Sequence, residues 1–196
     1  MQKFKQSAQK VNTVRCFIAI ELDREIKNSI EQYIVPLKRI SPAVRWIKTE
    51  SIHITLKFLG EIEQDLLDKV KLSLKPISEI FHPFVVTILG CGAFPDQRRP
   101  RVIWLGIETK EKNELLKLYE WIESRLESLG FKKERRKFSA HLTIGRIKFP
   151  RNMESLFNYM DINPFPPKQF LVKEIVLMQS ILKSSGAEYK VIAEYN

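Results

Sequence analysis

Apolar residues alternate with polar ones, or recur every three to four positions, and these two periods divide the chain into elements. "VRCFIAIEL" (14–22) is β-branched and aromatic and reads as a strand. In "DREIKNSIEQYIVPLKRI", Ile26, Ile30, Tyr33, Leu37 and Ile40 fall at helical spacing, with Asp23 placed to cap the first turn. Pro36 is expected to kink or end this helix, because it removes a backbone donor and crowds the preceding turn. "VRWIK" (44–48) reads as a short strand, and "SIHITLKFLG" (51–60) alternates as a half-buried strand that Gly60 stops. "QDLLDKVKLSLKPISEI" (64–80) gathers Leu66, Leu67, Val70 and Leu74 on one helical face. The strands "FVVTILGCGAF" (84–94) and "VIWLGIE" (102–108) flank the basic loop "DQRRPR".

The second half repeats the theme. "EKNELLKLYEWIESRLESLG" is a helix with Leu115, Leu118, Ile122 and Leu126 inward and Gly130 as its stop. "KKERRKFSAHLTIGRIKF" (132–149) enters a strand through a basic loop, and "RNMESLFNYM" is a short helix. "FLVKEIVLMQSIL" and "AEYKVIAEY" are two strands joined across "KSSG". Several connections are hairpin-tight, which favours an α+β fold with antiparallel sheets over a doubly wound parallel one. No Pro-rich or low-complexity linker divides the chain, so one domain is expected over residues 14–196, behind a flexible leader at 1–13.

Composition changes this picture in three ways. With 44% hydrophobic residues among 196, a packed core needs no disulfide. The formal charge of +10 draws polyanions, nucleic acid first among them. Cys16 and Cys91 sit in apolar, strand-like surroundings without ligand spacing and read as reduced structural residues. The N-terminal segment lacks the apolar stretch of a signal peptide and no run reaches membrane-spanning length, so a cytoplasmic protein without membrane contact is expected.

The chemistry lies in a repeat. His53 and Thr55 in "SIHITLKFLG", and His141 and Thr143 in "SAHLTIGRIK", give two of the three histidines the same H-x-T setting. Residues two apart on a strand share a face, so each strand offers an imidazole beside a hydroxyl, with Lys57 expected on that same face and Ile52, Ile54, Leu56 and Phe58 in the core. Two such strands facing each other form two similar lobes around a cleft. Opposed imidazoles can take a proton on one side of a phosphorus atom and give one on the other, while the threonine hydroxyls hold anionic oxygens. Neither strand carries a carboxylate or thiol at ligand spacing, so metal-free chemistry is expected. Arg146 is a candidate phosphate clamp, but strict alternation puts it opposite His141 unless a bulge at Gly145 restores the phase. Phe17 and Phe138 are candidates for stacking on a base, and the runs "KKERRK" and "RRPR" for guiding a polynucleotide.

These segments resemble the two-histidine (2H) phosphoesterases, specifically the RNA 2′,3′-cyclic phosphodiesterase group, historically named 2′-5′ RNA ligases. "RCFIAIEL", "VRWIKTESIHITLKFLGE", "GAFP", "RPRVIWLGI", "FSAHLTIGRIK" and "MQSILKSSGAEYKVIAEY" follow that group's order from about Val14 to the end. The resemblance implies a bilobal fold of two pseudo-two-fold related lobes, no cofactor, and hydrolysis of a terminal 2′,3′-cyclic phosphate to a 2′-phosphate. It implies that His53 protonates the departing ribose oxygen, that His141 activates water, and that Thr55, Thr143 and Arg146 hold phosphate oxygens. Ala140 stands where many members of the group carry proline. RNA ends bearing cyclic phosphates, tRNA fragments included, or cyclic nucleotides are the expected partners, and a monomer the expected state. ATP-independent 2′-5′ ligation would be the reverse of 2′-5′ bond cleavage. The rival readings are a basic RNA-binding module without turnover, a 2H enzyme acting on another cyclic phosphate or on 2′-5′ oligonucleotides, and a structural or partner-binding role with the histidines idle.

Overall fold

The computed structural model describes residues 12–109, 113–184 and 186–196. The expected leader lies outside these residues except for Asn12 and Thr13, and Thr13 already opens the first strand. In chain order the elements are β1 (Thr13–Glu21), α1 (Arg24–Ile40), β2 (Val44–Trp46), β3 (His53–Glu63), α2 (Gln64–Leu74), α3 (Ile77–Ile80), β4 (Phe84–Phe94) and β5 (Val102–Thr109). They continue with α4 (Glu114–Glu127), β6 (His141–Ile147), α5 (Glu154–Ile162), β7 (Lys168–Val172), β8 (Ile175–Lys183) and β9 (Gly186–Tyr195).

The strands form one antiparallel sheet in the order β7-β4-β5-β6-β3-β1-β8-β9, with β2 paired to β6 beyond this path. It divides at its middle. β7-β4-β5-β6 is one half and β3-β1-β8-β9 the other, and a single register pair, Ile54 opposite Leu142, joins them. The helices cover one face, where Ile18, Ile20, Ile54, Leu142 and Ile144 pack with Ile26, Ile30, Leu67, Leu118 and Ile122 in a continuous core. The other face carries a second, small buried apolar cluster of Phe17, Ala19, Val176 and Met178. Among the described residues no helix is long and apolar enough to cross a membrane.

Three sequence expectations are corrected. Pro36 does not end α1: the helix continues to Ile40 because buried Ile34 and Leu37 anchor the turns around the proline, while Asp23 caps the start by accepting from the Ile26 amide at 2.8 Å. Gly60 does not stop β3. With φ at +75° it lets the strand bulge, so that Leu59 has no partner between the pairs Phe17–Phe58 and Cys16–Gly60, and pairing resumes to Glu63. "FLVKEIVLMQSIL" is two strands, not one, since the chain leaves β7 at Lys173 and Glu174 and crosses from one outer edge into the other half of the sheet.

Candidate active site

β3 and β6, the two H-x-T strands, meet at the seam. Because they run antiparallel about Ile54 and Leu142, His53 and Thr143 lie on one side of that pair and Thr55 and His141 on the other. Ile54 and Leu142 point into the helix-covered core, so all four polar groups stand on the open face. One register pair thereby brings together four side chains from sites far apart in the chain.

Both imidazoles are oriented by the same device. Nδ1 of His53 lies 2.9 Å from the Ser51 carbonyl oxygen, and Nδ1 of His141 lies 2.7 Å from that of Ser139. A carbonyl only accepts, so Nδ1 carries the hydrogen in each neutral ring and Nε2 is left as the acceptor. The repeat therefore begins two residues before each histidine, although the backbone rather than the serine side chain makes the contact.

The two rings sit in different surroundings. His53 is stacked on Phe17, with centroids 4.7 Å apart, and stands perpendicular to Tyr189 from β9 with centroids 5.1 Å apart. Burial drives its pKa from the ordinary 6.5 down to about 4; the Ser51 carbonyl opposes the shift and the Lys27 ammonium adds to it. His141 is less enclosed, with Phe94 edge-on at 4.9 Å and Trp104 behind Phe94 at 5.3 Å.

Immediately after each threonine the strand carries a bulge. In β6, Thr143 opposes Trp104 and Gly145 opposes Ile103, which leaves Ile144 unpaired. This slip returns Arg146 to the face of His141, where it is exposed, while Ile147 re-enters the core. In β3, Thr55 opposes Ala19 and Lys57 opposes Ile18, which leaves Leu56 unpaired. Here the slip overturns the expected phase. Lys57 turns inward beneath the sheet, 2.7 Å from Glu123 Oε1 of α4, and donates to the Lys132 carbonyl at 2.7 Å. Phe58, assigned by alternation to the core, emerges 68% exposed on the histidine face.

Phe58 and Arg146 thus hold matching places, each five residues past its histidine. Only one of the two slips has a marker in the sequence: Gly145 stands four residues past His141, whereas Lys57 holds the same place after His53. The expected stacking residues fare differently. Phe17 is 3% exposed and is spent on His53, Phe58 and Tyr189. Phe138 lies flat on Tyr119 of α4 with centroids 4.1 Å apart, which covers one of its faces. Neither offers the open ring that Phe58 does. The basic residues 98–99 and 132–137 remain exposed in loops, with the Arg98 and Arg99 amides donating to Asp96.

An antiparallel α+β sheet with paired histidine strands at its seam is the architecture of a two-histidine phosphoesterase. The family model for LigT-like phosphoesterases matches residues 20–104 and again 105–189. The chain belongs to that family. An RNA 2′,3′-cyclic phosphodiesterase of Thermotoga maritima is 35% identical over 182 residues, spanning 92% of this chain and 94% of its own. One of Archaeoglobus fulgidus is 34% identical over 177 residues, spanning 90% and 97%. In overall fold the chain is similar to TT0787 of Thermus thermophilus (TM-score 0.76, 24% identity, 92% and 96% of the two chains). It is also similar to E. coli LigT solved with 3′-AMP (TM-score 0.74, 24% identity, 93% and 97%).

Proposed function

We propose that this protein hydrolyses the 2′,3′-cyclic phosphate at the end of an RNA chain to a 2′-phosphate, with His53 as acid and His141 as base. The observation that supports this reading is the seam, where one register pair sets His53, Thr55, His141 and Thr143 on the same open face of the sheet. Water loses its proton to His141 Nε2 as its oxygen bonds phosphorus, the bond from phosphorus to O3′ breaks, and O3′ takes the proton from His53 Nε2. Thr55, Thr143 and the Arg146 guanidinium hold the non-bridging oxygens. Phe58 supplies a flat apolar face for the terminal base. The names of the Thermotoga and Archaeoglobus relatives support the choice of substrate.

His53 is neutral in the free protein at pH 7, because its pKa is about 4. An anionic phosphate against Nε2 favours the protonated ring, so the acid is charged as substrate binds. Imidazoles, hydroxyls and a guanidinium suffice for these steps without a metal, and all come from one chain, so a monomer is competent. Joining of ends through a 2′-5′ bond is the reverse of the related cleavage and needs no ATP, but water in excess drives hydrolysis.

The test is a short RNA with a 2′,3′-cyclic end, incubated in excess EDTA with wild type, His53→Ala, His141→Ala and the double variant. Wild type should add one water, and each single variant should lose about 10²- to 10⁴-fold in rate. The double variant should be hardly worse than the singles, because the two histidines act as one unit. RNA bound by wild type without turnover would instead make the protein a binding module.

A further inference from the structure

Arg45 of β2 lies directly opposite Arg146 of β6. Its neighbours Val44 and Trp46 pack against the core, so Arg45 points the other way, onto the face of His141 and Thr143. Two like charges directly opposite on one sheet face repel. Each of the five ion pairs among the described residues uses a lysine, so neither guanidinium is paired with a carboxylate there. Arg45 also reaches across to the β8–β9 hairpin. A Cβ built on Gly186 would stand 3.0 Å from its Nη2. The exposed guanidinium therefore lies close to Gly186 of the hairpin, on a strand residue paired with Arg146.

A terminal cyclic phosphate carries one negative charge, which Arg146 matches. The second guanidinium calls for a second anion one side chain away. We infer that Arg45 binds the phosphodiester one nucleotide upstream of the reacting end, so that the site reads an RNA terminus rather than a free cyclic nucleotide. This inference rests on the cyclic phosphodiesterase reading and names a subsite within it. It also gives the glycine at the start of β9 a role: a side chain at Gly186 would crowd the Arg45 guanidinium.

The experiment compares a nucleoside 2′,3′-cyclic phosphate with a dinucleotide that ends in one and carries one internal phosphodiester, for wild type, Arg45→Gln and Arg45→Lys. The dinucleotide-to-mononucleotide ratio of kcat/KM should fall about tenfold in Arg45→Gln, mostly through KM, as loss of one charge-assisted contact predicts. Arg45→Lys should recover part of the ratio. The wild-type ratio should decline with salt more steeply than that of Arg45→Gln, by a slope of about 0.7 in log units for one phosphate contact on a single strand. An unchanged ratio, whether both substrates suffer equally or neither does, overturns the proposal.

A binding arm separates this result from failure of the hydrolysis reading. The 2′-phosphorylated mononucleotide and dinucleotide are titrated against wild type and Arg45→Gln at equal ionic strength. If nothing turns over but the dinucleotide's tighter binding depends on Arg45, the subsite stands without the reaction. Equal affinity of wild type for the two ligands overturns it.

Discussion

At the scale of single residues, His53 shows what enclosure costs. Phe17 covers one face of the ring and Tyr189 stands perpendicular to it, and the ring resists protonation until about pH 4. The unfolded chain takes up that proton near 6.5, so between these values it binds more protons than the folded protein. Stability should therefore be complete above about pH 6.5 and fall as pH drops towards 4, by roughly 3 kcal/mol for this one group. Urea unfolding at about pH 7, 5.5 and 4.5 should show this slope in wild type and a flatter one in His53→Gln; parallel slopes would place the burden on other groups. Binding inorganic phosphate should move the His53 titration upward when followed by the ring proton signals in NMR. A titration that stays near 4 with phosphate bound would transfer the acid role to His141.

At the scale of elements, the two bulges decide which side chains reach the site. Alternation gave the faces of His53, Thr55, His141 and Thr143 directly, because each pair lies before its bulge. It failed at Lys57 and Phe58 because a single unpaired residue, Leu56, exchanges the faces of the residues between it and the second bulge at Leu59. No apolar pattern announces such a slip, since Leu56 and Lys57 both end up inward, one as core and one as half of an ion pair. That pair has its own consequence. Glu123 faces Lys57 at 2.7 Å and accepts from the Glu134 amide through Oε2 at 2.9 Å, which ties β3 and α4 to the loop leading into His141. Both side chains are under 10% exposed, so Lys57→Met or Glu123→Leu alone should cost about 3 to 5 kcal/mol by stranding the partner's charge. The double replacement should cost clearly less than the two singles together. Additive losses in chemical denaturation would show that the two groups act independently.

At the scale of the molecule, the two lobes were legible from the repeated H-x-T, but their strand membership was not. β8 and β9, last in the chain, complete the half that contains β1, while β2, near the start, joins the other. Periodicity within a strand says nothing about which distant strand lies beside it, and the charged step at Lys173 and Glu174 was too short to mark a crossing.

The matching places of Phe58 and Arg146 have a further consequence for direction. Two identical halves would present a substrate with two equivalent ways to lie, and each histidine would serve as acid half of the time. A chain that encodes its halves separately can place a ring in one and a charge in the other, and so admit the nucleotide in one orientation. Exchanging them, as Phe58→Arg with Arg146→Phe, should turn the substrate around and swap the histidines' tasks. A substrate with sulfur in place of O3′ reports this, because a thiolate leaves without a proton. It should rescue His53→Ala in the parent protein and His141→Ala in the exchanged one. Rescue of His53→Ala in both would mean that orientation is set elsewhere. Polarity of recognition, on this view, is what the divergence of the two repeats contributes to the enzyme.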